Sequence, residues 1–155
     1  MKVPEELMVG DVLFYKPSSL VGYAIAVKTW TFLSHVEGYC GGARVIAARP
    51  EGVNIYKERI DKYLVCVRRP MKQPFDLGAA WNSIHELMGP YETAGFLAFF
   101  SPLAKHKEAT RICSSLITRW LRGGGCEPFN PAMQAADVSP AQLWQSPELN
   151  TVWTV

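Results

Sequence analysis

The chain has 155 residues, 48% of them hydrophobic and 19% charged, with a formal net charge of +2. That composition suits one globular domain over residues 1–155, and a near-balanced charge without a clustered basic stripe argues against nucleic acid as a partner. The longest apolar run, Thr93 to Ala104, is well short of the roughly 20 residues a membrane span requires.

The opening "MKVPEELMVGDVLFY" lacks a basic start, an apolar run and a small-residue cleavage site. Cytoplasmic synthesis without a signal peptide is therefore expected. Residues 10–16, bounded by Gly10 and Pro17, predict a first strand. Residues 18–33 place Leu20, Ala24 and Val27 at helical spacing behind Ser18 or Ser19, which predicts a helix. Four short β-rich segments follow, 34–40, 44–50, 52–58 and 63–70, separated by Gly41-Gly42, Glu51-Gly52 and Asp61-Lys62. Connections this short make antiparallel neighbours. Arg68-Arg69 and Lys105 to Lys107 read as solvated surface.

After Pro74 the pattern becomes helical. Residues 75–89 align Leu77, Trp81, Ile84 and Met88 on one stripe, and Gly89-Pro90 ends it. Residues 108–125 align Ile112, Leu116, Ile117 and Trp120 before three glycines. The tail 138–155 carries Leu143, Trp144, Val152 and Trp153, which are costly to leave in water, so it is expected to dock. The fold class is α+β, a small antiparallel sheet flanked by helices.

Cys40, Cys66, Cys113 and Cys126 form no C-x-x-C pair, and the three histidines are far apart. No disulfide framework, metal site or cofactor is expected from that spacing. One feature stands out against this background. In "SHVEGYC", strand alternation puts His35, Glu37 and Tyr39 on one face and Val36, Gly38 and Cys40 on the other. A carboxylate two residues from an imidazole can orient it directly or through a neighbour.

The nucleophile such a pair would serve is Cys113. With Thr110 as N-cap, Cys113 falls in the first helical turn, where unpaired backbone N–H groups favour a thiolate. An adjacent His35 would favour it further. Cys113 also lies at helical spacing with Leu116, Ile117 and Trp120, as an ordinary core cysteine would. Spacing alone leaves both readings open.

The order of motifs adds a resemblance. Gly10-Asp11, Ser34-His35-Val36, Gly89-Pro90-Tyr91 and Cys113-Ser114, with "SPAQLW" after them, make the chain similar to the circularly permuted branch of the papain-like NlpC peptidase superfamily. That resemblance implies a permuted papain-like fold, Cys113 as nucleophile and His35 as base. The family's third polar residue commonly sits in a "VIEA"-like strand, where this chain has Ala47 in "VIAA". The orienting role then passes to Glu37, with Glu51 or Asn54 as weaker substitutes.

The implied activity is a cysteine hydrolase working through a thioester, with an oxyanion hole built from the Cys113 N–H and Tyr91 or Tyr15. The implied substrate is an amide in peptidoglycan peptides. The resemblance also extends to lipid amidases, thioesterases and acyltransferases, and to phage proteins associated with the virion or its tail. The alternative is a non-catalytic binding or virion-structural module that retains the fold.

Overall fold

A computed structural model describes residues 6–18, 32–49, 51–90 and 107–155, with backbone alone over 107–112. The helix expected over 18–33 falls almost wholly outside these residues, as do the apolar run 93–104, Tyr91 and most of the 105–107 segment.

Among the described residues, six strands form one antiparallel sheet in the order β4-β3-β2-β1-β5-β6. They are β1 (Val12–Tyr15), β2 (His35–Gly41), β3 (Arg44–Arg49), β4 (Gly52–Lys57), β5 (Leu64–Pro70) and β6 (Leu149–Thr154). Among the described residues three α-helices accompany them: α1 (Leu77–Ile84), α2 (Lys107–Gly123) and the short α3 (Pro140–Trp144). The α+β class and the antiparallel sheet agree with the sequence pattern. The docked tail proves to be α3 followed by the edge strand β6.

Period-two alternation divides the sheet into two faces. Val12, Phe14, Val36, Ile46, Ala48 and Cys66 share one cluster with Ala80 and Ile84 of α1, Cys113, Leu116 and Trp120 of α2, and Leu143 of α3. All three described helices therefore bury side chains on this face. Leu13, Tyr15, Val45, Leu64 and Val67 form a second cluster on the opposite face, edged by Tyr39, Tyr56, Tyr63 and Trp153.

Helix α2 approaches the sheet closely because β2 offers a glycine beneath it. A Cβ on Gly38 would lie 2.7 Å from Trp120 Cζ3 and 3.0 Å from Ile46 Cγ2. Real Cβ atoms do not come that near, so the indole occupies the room a side chain would take. Trp120 and Gly38 thus set the height of α2, and with it the height of Cys113, above the sheet.

The two arginines expected at the surface are structural. Arg69 makes a two-pronged ion pair with the buried Asp11, Nε to Oδ1 at 2.7 Å and Nη2 to Oδ2 at 2.8 Å. Asp11 Oδ2 also accepts from Met8 N at 2.8 Å, so Gly10-Asp11 closes the turn into β1. Arg68 donates to the carbonyls of Trp144 and Leu149 and so ties α3 and β6 to β5. Their partners lie far away in sequence, which is why a dipeptide of charges read as solvated surface.

The other motif residues are also accounted for locally. Gly89 N donates to Val53 O at 2.9 Å, and Val53 N donates to Gly89 O at 3.0 Å, so the end of the α1 segment is fastened to β4. Ser114, beside Cys113, donates its hydroxyl to the Val138 carbonyl and anchors α2 to the segment before α3. Ser139 and Gln142 form a capping box at the start of α3.

Candidate functional site

Glu37 lies in the middle of the site. It is fully buried on β2, opposite Leu13 of β1, and its Oε1 stands 2.9 Å from His35 Nε2. The i, i+2 spacing on one strand face brings imidazole and carboxylate together, as the alternation predicts. His35 opens β2 opposite Tyr15, with ring centroids 6.1 Å apart, and 19% of its side-chain surface remains exposed.

The imidazole has a second partner, because the Cys113 thiol shares a hydrogen bond with it. Alternation turns Val36 toward α2 and His35 toward the opposite face. Since His35 is the first residue of β2, however, its ring stands at the strand's end and can meet a helix on the far side. With Nε2 engaged by Glu37, Nδ1 is the nitrogen left for the sulfur.

The charge state follows from these contacts. Burial alone pulls the His35 pKa down, but the hydrogen bonds to Cys113 and Glu37 and the charges on both outweigh it and raise it from 6.5 to about 9. For Glu37, burial pushes the pKa up, yet the hydrogen bond and charge of His35, with Arg49 and Arg59, hold it below the ordinary carboxylate value. The resting pair is an imidazolium against a carboxylate.

Two arginines that sequence reasoning did not single out complete the surroundings. Arg49, at the end of β3, donates Nε to Glu37 Oε1 at 3.0 Å and Nη2 to Lys57 O at 3.3 Å, and lies over the Tyr56 ring at 4.4 Å. Arg59 places its Nη2 3.7 Å from the same oxygen and its guanidinium 5.3 Å from the Tyr15 ring centroid. Neither arginine sits at a spacing that local pattern would connect to Glu37. Continued strand register puts Ala47 beside Glu37, and alternation puts Arg49 on the same face as both.

Several expectations require correction. The helix bearing Cys113 begins at Lys107, three residues before Thr110, so Cys113 is its seventh residue and lies in the second turn. Lys107, Glu108 and Ala109 are good helix formers, and they extend the helix past the threonine that resembled a cap. In a helix begun at Lys107 the Cys113 N–H has an acceptor four residues back, so it cannot serve an oxyanion hole, and the helix end gives the thiol little. The Tyr15 hydroxyl donates to the Arg59 carbonyl at 2.9 Å and is likewise engaged. Burial, then the nearby Glu37 charge, pushes this phenol well above its ordinary pKa. Glu51 is exposed, and Asn54 is exposed with its Oδ1 accepting from Ile55 N at 2.8 Å, so Glu37 alone of the three candidates touches His35.

The other cysteines have different settings. Burial pushes Cys40 up to about 12, Cys126 up to about 11 and Cys66 upward as well. Among the described residues, no three His, Cys, Asp or Glu side chains converge as a metal site, and no helix is long and apolar enough to cross a membrane.

Comparison with known proteins finds no family model that matches the chain and no curated protein that matches it.

Proposed function

We propose that the chain is a cysteine hydrolase of permuted papain-like design, with Cys113 as nucleophile, His35 as acid and base, and Glu37 as the residue that orients His35. The observation that carries this reading is one imidazole that shares hydrogen bonds with both a thiol and a buried carboxylate. The motif order from Gly10-Asp11 through Cys113-Ser114 supports it independently.

The chemistry then runs in two halves. The Cys113 thiolate, paired with the His35 imidazolium, adds to an amide carbonyl, forming the C–S bond and moving the carbonyl electron pair onto oxygen. Collapse breaks the C–N bond while the His35 imidazolium gives its proton to the departing nitrogen. His35, now neutral, takes a proton from water as the hydroxide adds to the thioester. The C–S bond breaks, the acid leaves, and the imidazolium is restored. Glu37 holds the ring and balances its charge throughout without itself taking a proton.

The substrate assigned here is an amide in peptidoglycan peptides, and a lipid amide or thioester would follow the same two steps. A virion- or tail-associated role accords with the motif resemblance. Turnover of purified peptidoglycan and of a simple thioester should be measured for the wild type, Cys113→Ala and His35→Ala. The reading expects at least one substrate to be cleaved by the wild type and by neither variant. Equal turnover by Cys113→Ala would contradict it.

One observation favours a second reading. The Cys113 N–H lies inside α2 rather than at its start, which withdraws the usual oxyanion donor and suits a non-catalytic module that keeps the fold. Labelling of Cys113 without turnover of any substrate would support that reading.

A further inference from the structure

Among the described residues, the charges around His35 do not balance. One carboxylate, Glu37, faces three cationic groups: His35, Arg49 and Arg59. Arg49 is committed, since it donates to Glu37 and to the Lys57 carbonyl and lies over Tyr56. Arg59 is not committed in this way. Its side chain is 42% exposed, and its nearest anion among the described residues, Glu37 Oε1, is 3.7 Å away and outside hydrogen-bond range.

The other carboxylates nearby do not take its place. Glu51 is exposed in the turn before β4, where its charge acts on Tyr56. Glu58, adjacent in sequence, makes no ion pair with Arg59 among the described residues, and its buried Oε2 has no partner there. The Arg59 guanidinium lies over Tyr15, whose ring also neighbours His35. Arg59 therefore stands at the open margin of the site with donors to spare.

We propose that Arg59 is a specificity residue that receives a carboxylate of the substrate, a few bonds from the scissile carbonyl. This inference rests on the hydrolase reading above. A thiolate at Cys113 would leave one uncompensated positive charge among the five groups, which matches a carboxylate and not a phosphate dianion. A guanidinium also offers the two parallel N–H donors that a carboxylate accepts. The aromatic ring beneath it limits the directions in which the fork can point.

Thiol reagents test this without a known substrate. Cys113 should be labelled in the folded full chain with 3-maleimidopropionate and with N-ethylmaleimide, which differ by one carboxylate. The ratio of the two rates within each variant cancels any change in the thiol's own reactivity. In the wild type the ratio should exceed that of free cysteine, and Arg59→Gln should lower it by about two- to fivefold, as for one exposed charge pair. Arg59→Lys should keep part of the preference, and added salt should weaken it in the wild type. A ratio that Arg59→Gln leaves unchanged, with Cys113 still labelled by both reagents, overturns the inference alone. Failure of both reagents to label Cys113 in the folded protein overturns the hydrolase reading and this inference with it.

Discussion

His35 and Glu37 share one strand face, and the imidazole Nε2 lies 2.9 Å from a carboxylate oxygen that is fully buried. The expense of burying Glu37 is met by His35 and Arg49 together, not by either alone. Glu37→Gln should leave the fold intact but lower unfolding stability by about 1–3 kcal/mol, because a half-buried guanidinium loses its anion. The same variant should retain weakened Cys113 reactivity, whereas His35→Ala should abolish turnover. Urea titration and substrate assays on the same preparations check both halves.

His35 also makes stability and activity depend on pH. Its folded pKa is raised from 6.5 to about 9, so its contribution to stability is fully present below 6.5 and is lost as pH rises through about 9. The stability difference between wild type and His35→Gln should therefore shrink between pH 6 and pH 10. The pH–rate profile should fall on its alkaline side near pH 9, where the imidazolium that protonates the leaving group disappears. In Glu37→Gln that limb should move to lower pH.

The Gly38–Trp120 contact gives a prediction about geometry at a distance. Gly38→Ala puts a methyl 2.7 Å from the indole, which forces α2 outward or the ring out of its well. Destabilisation of about 1–3 kcal/mol is expected from such overpacking. Because α2 carries Cys113, labelling of that thiol should change as well, although the atoms nearest the added methyl belong to Trp120 and Ile46. Denaturant unfolding and site-resolved labelling read the two effects separately.

Asp11 should behave as a structural residue. Asp11→Ala leaves Arg69 without its two-pronged partner and frees Met8 N, at a cost of about 3 kcal/mol for breaking a buried pair. Any loss of turnover should follow the loss of folded protein. A folded, stable Asp11→Ala protein with no activity would instead place Asp11 in the chemistry.

Much of this arrangement is legible from local pattern. Alternation along β2 places His35 and Glu37 on one face, and helical spacing marks the buried stripe of α2, because both signals lie within a few residues. What is not legible depends on long-range pairing. Arg69 meets Asp11 from 58 residues away and Arg49 meets Glu37 from 12, distances over which a sequence pattern carries no geometry. The start of α2 at Lys107 is hidden because Thr110 resembles a cap while the residues before it already favour helix. The tail's apolar residues signalled docking, but its pairing with β5 follows from the open sheet edge, which no residue of 138–155 encodes by itself.

The central claim is that Cys113 is set apart from the other thiols by His35. The most direct measurement is iodoacetamide labelling of the folded chain at pH 7, resolved to individual cysteines by mass spectrometry, in wild type and His35→Ala. Burial holds Cys40, Cys66 and Cys126 protonated, so Cys113 should react at least about tenfold faster than any of them, and His35→Ala should remove most of that advantage. Equal labelling of all four cysteines, or labelling of Cys113 only after unfolding, would contradict the account.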